Sequence, residues 1–500
     1  MDYKKLQNGS DIRGVALEGV EGQHVNLTEK ACKDIGRGFA LWLKKRLNRD
    51  DLRVAVGRDS RLSGETLCGW ICQAMCEQGL QVTDIGMAST PAMFMSTVTG
   101  EKPFDGSVMI TASHLPFNRN GFKFFTRDGG LEKQDIAAIL AAAEGCETTG
   151  LPEGQLTTGE FMDEYAAILV GKVRAATGAE KPLAGFRIVV DAGNGAGGFY
   201  VAKVLQPLGA DTTGSQFLEP DGSFPNHIPN PEDEKAMAAI TKAVADNHAD
   251  FGIIFDTDVD RAGAVLDDGS ELNRNRIIAM LAAILLREYP GTTIVTDSIT
   301  STGLAQFIAK RGGVHHRFKR GYRNVINEAI RLNAEGHDCQ LAMETSGHGA
   351  FKENYFLDDG AYIVTKLLIE LARGKKEGYK LESLIADLAE PAESREFRFN
   401  ILQEDFKSYG LQVLEQLQTY AAAQPGWSIA PNNYEGVRVN LDEAHGNGWF
   451  LLRMSLHDPL MPLNIESDSE GGVKIIAAQL ADFLLPCEKL DTAKLAEYVK

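Results

Sequence analysis

One local pattern, met three times along the chain, constrains its fold more than any other feature. A short β-rich apolar run ends in a turn of small or acidic residues, and a helical pattern follows. Residues 52–56 run into Gly57-Arg58-Asp59-Ser60-Arg61, residues 187–190 into Asp191-Ala192-Gly193-Asn194-Gly195, and residues 293–295 into Thr296-Asp297-Ser298-Ile299-Thr300. Parallel strands buried on both faces read as continuous apolar runs, and crossover helices follow them. The recurrences lie roughly 110–135 residues apart, so the chain is expected to hold α/β domains of similar build with mixed sheets. The last hundred residues read differently. Strands are expected at 397–402, 437–441 and 449–455, with helices at 406–423 and 472–485, which makes a smaller α+β domain. The expected division is 1–155, 156–270, 271–391 and 392–500, four parts around a central cleft.

Bulk properties narrow the partners. The 500 residues carry a formal net charge of -18, so nucleic acid and anionic membrane surfaces are poor partners, and a small anion has to be held by local Arg and Lys. The longest apolar stretch, 277–286, is too short to span a bilayer. The first residues have no apolar core of a secretory signal. Seven cysteines, an odd number, do not make a disulfide framework, which points to a reducing cytoplasm. Cys68, Cys72 and Cys76 recur every fourth residue and share one helix face, as small buried thiols rather than metal ligands.

Four loops carry the chemistry. Phe251-Gly252-Ile253-Ile254-Phe255 leads into Asp256-Thr257-Asp258-Val259-Asp260-Arg261. In extended chain, residues two apart point the same way, so Asp256, Asp258 and Asp260 converge. Like charges that close repel unless a cation lies between them, and oxygen ligands select magnesium or calcium. An EF-hand needs Gly and Glu where Arg261 and Asp267 stand, which excludes it. In the second loop, Thr111-Ala112-Ser113-His114 follows an apolar run, with Lys123 ten residues on; this suits either a presented nucleophile or a helix cap. The third, Glu344-Thr345-Ser346-Gly347-His348, sets partners for sugar hydroxyls at alternate positions, and no Gly-x-Ser-x-Gly elbow supports a hydrolase there. In the fourth, Arg453 and Ser455 could hold a phosphate.

Together these loops resemble the α-D-phosphohexomutase superfamily, in the family's order and over nearly the whole chain. Gly9-Ser10-Asp11-Ile12-Arg13-Gly14 and Val56-Gly57-Arg58-Asp59-Ser60-Arg61 are similar to its first-domain motifs. Thr111-Ala112-Ser113-His114, with Asn120-Gly121-Phe122-Lys123, is similar to the active serine loop. The aspartate loop resembles its metal loop, and Glu344-x-Ser346-Gly347-His348 its sugar loop. The resemblance implies a mutase that interconverts hexose 1-phosphate and hexose 6-phosphate, of glucose or mannose, through a phosphoserine and a bisphosphorylated sugar. It implies Ser113 as the phosphorylated residue, with one Mg2+ per chain held by Ser113, Asp256, Asp258 and Asp260. Arg13, His114, Lys123 and Arg261 are then expected around the transferring group, Lys123 moving the proton. Glu344, Ser346 and His348 meet the sugar, and Tyr322, Arg323, Arg453, Ser455 and His457 meet substrate and its second phosphate. A hexose 1,6-bisphosphate serves as activator and intermediate, in the cytoplasm, with monomer and dimer both open.

The C-terminal loop departs from the family's Arg-x-Ser-Gly-Thr-Glu-Pro: Leu456 replaces Gly, His457 replaces Thr, and Pro462 stands where a second Arg belongs. Either phosphate affinity is lower as a result, or His457 and Asn464 supply donors instead, and Lys319-Arg320-Gly321-Tyr322-Arg323-Asn324 is expected to share the phosphate-holding task. Arg58 and Arg61 are expected to brace the serine loop, and His227 to serve as a hydrogen-bonded scaffold residue. Two alternatives compete. A haloacid-dehalogenase-type phosphatase would use Asp256 as nucleophile, and a non-catalytic homologue would only bind sugar phosphate.

Overall fold

The computed structural model describes residues 2–145, 153–455 and 458–500. His457 therefore lies outside the described residues. The chain forms two compact units, Met1–Ile284 with Ser346–Leu384, and Leu285–Thr345 with Ile385–Lys500.

The first unit holds two mixed sheets. In the larger, the strand order is Gln7–Asn8, Asp11–Val15, Arg119–Thr126, Gly106–Ile110, Arg53–Arg58, Gln81–Met87 and Leu156–Thr158. Arg53–Arg58 pairs in parallel with Gly106–Ile110 and Gln81–Met87, whereas Arg119–Thr126 runs antiparallel to both its neighbours. Gly106–Ile110 is buried at every position, as its apolar run requires. Helices Glu29–Leu47, Gly64–Glu77 and Lys133–Ala143 supply Phe39, Ile71, Met75 and Ile139 to one core with Val56, Ile110 and Phe122. Cys68, Cys72 and Cys76 are buried on the second of these helices, with the Cys68 and Cys72 sulfurs 3.7 Å apart. They are thiols of the core, as their spacing suggests.

The smaller sheet orders Glu271–Leu272, Ala262–Leu266, Phe251–Phe255 and Ile188–Asp191. Ile188–Asp191 is followed not by a regular α-helix but by a 3-10 turn at Ala196–Gly198 and a π-helical turn at Val201–Leu205. Close approach of neighbouring backbone requires glycine at two positions in this stretch. A Cβ on Gly195 would lie 2.6 Å from the Thr257 carbonyl oxygen, and one on Gly198 2.3 Å from that of Leu218.

In the second unit, Val314–Arg317, Thr293–Thr296 and Cys339–Met343 pair in parallel. The C-terminal sheet is wholly antiparallel, in the order Glu393–Asn400, Leu460–Ser467, Gly448–Leu452, Val437–Leu441 and Trp427–Ile429. Helices Phe406–Ala422 and Gly472–Leu484 cover one face, burying Phe397, Phe399, Phe450, Leu417 and Leu480. The architecture is the expected α/β with mixed sheets, closed by a β-rich α+β part. No helix among the described residues is long and apolar enough to cross a membrane.

Candidate active site

In the first unit, Gly106–Ile110 delivers the serine loop. Ser113 holds a backbone φ of 50°, uncommon for a residue other than glycine, and its N–H donates to Thr111 Oγ1 at 2.9 Å. The cause is Arg61, only 3% exposed. Its guanidinium donates to the carbonyls of Ser113, Leu115 (2.6 Å), Pro116 (2.9 Å) and Arg119 (2.9 Å), tying the loop into one conformation. Asp59 lies 3.5 Å from Arg61 Nε. Arg61 braces the loop as expected. Arg58 does not: it pairs with Asp84 at 3.0 Å.

The apolar strand Phe251–Phe255 carries the aspartate loop. The three carboxylates converge, with one oxygen from each inside a 4.8 Å sphere of mutual distance, but not because the chain is extended. Residues 256–260 turn, with Val259 at φ 66°, and the turn rather than strand alternation aims the side chains inward. Asp256 and Asp258 are fully buried and Asp260 is nearly so. Asp258 Oδ1 and Asp260 Oδ1 are buried without a hydrogen-bond partner, so the donor set is one of hard oxygens left open for a cation.

The serine and the aspartates meet. Ser113 Oγ donates to Asp256 Oδ2 at 2.9 Å and accepts from Arg261 Nη2 at 2.7 Å. Arg261 also bonds Asp256 through Nε at 3.2 Å and Asn230 Oδ1 at 3.0 Å. Lys123 pairs with Asp260 and, at 3.2 Å, with Asp258. Arg13 pairs with Asp11 at 3.0 Å and sits opposite Gly121 across two antiparallel strands. A Cβ on Gly121 would lie 2.1 Å from the Ile12 carbonyl oxygen, so only glycine permits that approach.

His114 keeps an exposed face, but desolvation by the protein atoms around its ring, then the charges of Arg261 and Arg13, push its pKa down to about 3. His114 is thus a neutral acceptor, with Nδ1 2.6 Å from Arg261 Nη2, rather than a further cation. His348 is also held well below its usual value by burial, Arg261 and Lys123. Its Nε2 is 3.6 Å from Asp260 Oδ1 and 3.6 Å from Asp358 Oδ2, and its Nδ1 is 2.9 Å from Ser346 Oγ. Ser346 and His348 therefore stand beside the carboxylates, closer to the aspartate chemistry than a purely sugar-facing role suggests.

The second unit holds the other expected residues. Gly321 N–H donates to Glu344 Oε1 at 2.6 Å, and Tyr322 and Arg323 open the helix Tyr322–Ala334. Arg453, 6% exposed, lies 3.6 Å from Glu435 Oε1. Glu435 Oε2 also accepts from Ser298 Oγ at 2.5 Å and from Arg320 N–H at 3.1 Å, while Arg320 Nε is 3.5 Å from Asp297. Ser455 Oγ accepts from Asp458 N–H at 3.3 Å. Asn464 gives an amide hydrogen to Glu396 at 3.0 Å, so that donor is already committed.

Sequence reasoning missed several supports. Thr90 Oγ1 donates to Asp258 Oδ2 at 2.5 Å, Asn230 orients Arg261, and Glu435 and Asp297 hold the arginines of the second unit. Thr90 was legible only as the start of a helix, since Ser89 caps Thr90–Met95 with Pro91 near its first turn. His227 is the scaffold residue expected, its Nε2 3.0 Å from Asp191 and its Nδ1 2.9 Å from the Ile228 carbonyl.

A serine on a left-handed backbone, its hydroxyl set among buried carboxylates, an arginine and a lysine, on mixed α/β sheets, defines the phosphotransfer class of site. Comparison with known proteins places it further. The chain matches phosphoglucomutase/phosphomannomutase α/β/α domain I over residues 4–148, domain II over 161–269 and domain III over 273–391. It is 31% identical to a phosphoglucomutase of Neisseria gonorrhoeae over 93% of this chain and 94% of that protein. It is 31% identical to a phosphomannomutase/phosphoglucomutase of Pseudomonas aeruginosa over 92% of each. Among solved structures, a phosphoglucomutase/phosphomannomutase family protein of Burkholderia thailandensis superposes with a TM-score of 0.78 at 26% identity, covering 98% of each chain. The chain belongs to the phosphoglucomutase/phosphomannomutase family, within the α-D-phosphohexomutase superfamily. The dehalogenase-type and non-catalytic alternatives are not favoured.

Proposed function

We propose that this chain is a cytoplasmic phosphohexomutase that interconverts the 1- and 6-phosphates of glucose or mannose. The phosphoryl group passes from Ser113 to the free sugar hydroxyl, giving a hexose 1,6-bisphosphate. The intermediate turns over, and its other phosphate returns to Ser113. The supporting observation is the position of Ser113 Oγ, 2.9 Å from Asp256 and 2.7 Å from Arg261 Nη2. Phosphoryl transfer asks a protein chiefly for in-line positioning and neutralised oxygens, and those groups supply both.

The open oxygens of Asp258 and Asp260 fit one Mg2+, which we assign to Asp256, Asp258, Asp260 and an oxygen on Ser113. When bound, the ion neutralises charge on the transferring phosphoryl oxygens. Arg261 and Arg13 add fixed positive charge, and His114 holds Arg261 in line by accepting from it. Lys123 takes the proton from the attacking sugar hydroxyl and returns it to the leaving oxygen. Glu344, Ser346 and His348 orient the sugar ring. Arg453, Ser455, Tyr322 and Arg323, with His457, hold the non-reacting phosphate. Residues 1–155, 156–270, 271–391 and 392–500 are the domains we assign.

A coupled assay primed with glucose 1,6-bisphosphate, run on glucose, mannose and glucosamine 1-phosphates, tests the reading. Wild type should turn over at least one hexose phosphate and carry phosphoserine at position 113. Ser113→Ala should lose about a thousandfold or more of kcat with an unchanged melting temperature. Full activity in Ser113→Ala, or phosphate found on Asp256 instead, would overturn it.

A further inference from the structure

The second unit contains a cavity of about 220 Å3 that the mutase reading does not use. The strand Val314–Arg317 lines it with His315, His316 and Arg317. A strand of a parallel sheet ordinarily reads as an apolar run, so three polar residues in succession here are a departure. Arg438, from the strand Val437–Leu441, also lines it and is 5% exposed.

Among the described residues the two guanidiniums hydrogen-bond only neutral oxygens, and Arg438 also stacks over the Trp449 ring, 3.6 Å from its centroid. Arg438 Nη1 donates to the Ser298 carbonyl at 2.8 Å. Arg317 donates through Nε to Thr300 Oγ1 at 3.1 Å and through Nη2 to the Ser301 carbonyl at 2.7 Å. Two carboxylates, Asp297 and Glu466, lie near enough for their charge to favour both arginines, but neither hydrogen-bonds them: Asp297 accepts from Thr345 Oγ1 at 2.8 Å and Glu466 from Trp449 Nε1 at 2.9 Å. Burial pushes the Glu466 pKa up to about 7, which weakens it as a counter-charge. Burial also pulls Arg317 down to about 10, and burial together with the Arg317 charge pulls Arg438 well below its usual value. Two cations held this way are costly unless an anion joins them. On the exposed side, Tyr434 packs against Phe318 and His316 with ring centroids 4.9 and 5.5 Å apart, forming an aromatic wall.

We propose that this cavity is an accessory binding site for a small phosphate monoester, with the phosphoryl group held between Arg317 and Arg438 and the organic part against Tyr434. The volume equals that of roughly seven waters at about 30 Å3 each, room for a phosphate and a few carbons but not for a nucleotide. Paired guanidiniums match phosphate oxygens better than any other side chains do. The site shares Ser298 and Glu435 with the Arg320–Arg453 cluster, since Glu435 accepts from Ser298 and from Arg320 N–H and faces Arg453. An occupant therefore bears on how that cluster is held. The proposal does not depend on the mutase reading.

The test uses the full chain and two probes, inorganic phosphate and glycerol 2-phosphate, by titration calorimetry. Arg453→Ala, which weakens the cluster, should retain one phosphate site. Adding Arg438→Met to it should raise the Kd of that site about tenfold or more, whereas Tyr434→Ala should weaken glycerol 2-phosphate several-fold and inorganic phosphate little. Crystals of wild type soaked in arsenate give a reading that needs no variant: an anomalous peak between Arg317 and Arg438 is expected. A cavity without that peak while one stands at Arg453, or an unchanged Kd in the Arg438→Met background, overturns the proposal.

Discussion

Arg61 offers the sharpest test of how the serine is presented. It is 3% exposed and donates to the carbonyls of Ser113, Leu115, Pro116 and Arg119. A bond from a charged donor contributes about 1.5–3 kcal/mol, so the set would sum to roughly 6–12 kcal/mol if nothing relaxed. The loop does relax, methionine would fill much of the space, and water would reach the freed carbonyls. Breaking a buried ionic arrangement on one side costs about 3–5 kcal/mol, and that is the expected loss for Arg61→Met. At about 2–4 °C per kcal/mol, the melting temperature should fall by roughly 6–20 °C while the fold survives. Burial already raises the Asp59 pKa to about 6, against the Arg61 charge that lowers it. Without Arg61 it rises further. A carboxyl whose folded pKa is raised binds its proton more tightly in the folded state, so stability falls as pH rises through the window above the unfolded value. The deficit of Arg61→Met should therefore be larger at about pH 8 than at about pH 5, and Asp59→Asn should recover part of it. Since Arg61 positions Ser113 and does not touch substrate, kcat should drop about a hundredfold with KM little changed, and hydrogen exchange at residues 113–119 should speed up. A variant with normal stability and only a raised KM would refute the bracing role.

His227 and Glu435 give two smaller tests. Burial alone lowers the His227 pKa, but hydrogen bonding and charge from Asp191 outweigh it and the net shift is upward. Its stabilising effect is thus full below about pH 6.5 and lost as pH rises through the folded value, so the melting gap between wild type and His227→Gln should be about 2–4 °C near pH 6 and should close near pH 9. Glu435→Gln removes the charge that faces Arg453 at 3.6 Å and accepts from Arg320 N–H at 3.1 Å. KM for the sugar phosphate should rise about tenfold with kcat within about twofold, and an unchanged KM would show that Glu435 does not order the arginines.

Much of this was legible because the relevant signals are local. Phe251–Phe255 and Val437–Leu441 are strands over the residues their patterns mark, since five buried apolar residues in one case and strict alternation in the other leave little choice. The convergence of Asp256, Asp258 and Asp260 was legible too, but its cause was not. Strand geometry suggested it, and a turn with a left-handed valine achieves it. What stayed hidden depends on distance along the chain. Thr90 reaches Asp258 across 168 positions, and Ser298 reaches Glu435 across 137. No local pattern marks such pairs. The same holds for His114: the resemblance places it around the transferring group, but desolvation and the charge of Arg261, 2.6 Å from its Nδ1, keep it neutral.

The aspartate nest carries its own account of why a metal belongs there. Three buried carboxylates face Lys123 and Arg261, which leaves one negative charge in excess. Asp256 absorbs it: burial, then the charge of Asp260, raises its pKa well above the usual range. Asp260 goes the other way, because Lys123 and Arg261 outweigh the cost of its burial, and a hydrogen bond with Asp256 adds to the effect. The nest therefore holds either a proton or a further cation. Binding of Mg2+ should release up to about one proton, and its affinity should tighten by as much as about tenfold per pH unit while Asp256 is still protonated in the metal-free protein. Calorimetric titration in two buffers of different ionisation heat measures the proton directly, and Asp256→Asn should abolish the release. Because the carboxylates would then face the ion, Lys123 would be freed from Asp258 and Asp260. With its ammonium no longer held by them, on sugar binding it would give up a proton to solvent and meet the sugar hydroxyl as the neutral amine. A Mg2+ affinity that is flat between about pH 5.5 and 8, with no proton exchanged, would mean that the excess charge is neutralised by some other group and that the metal does not take the place of a proton.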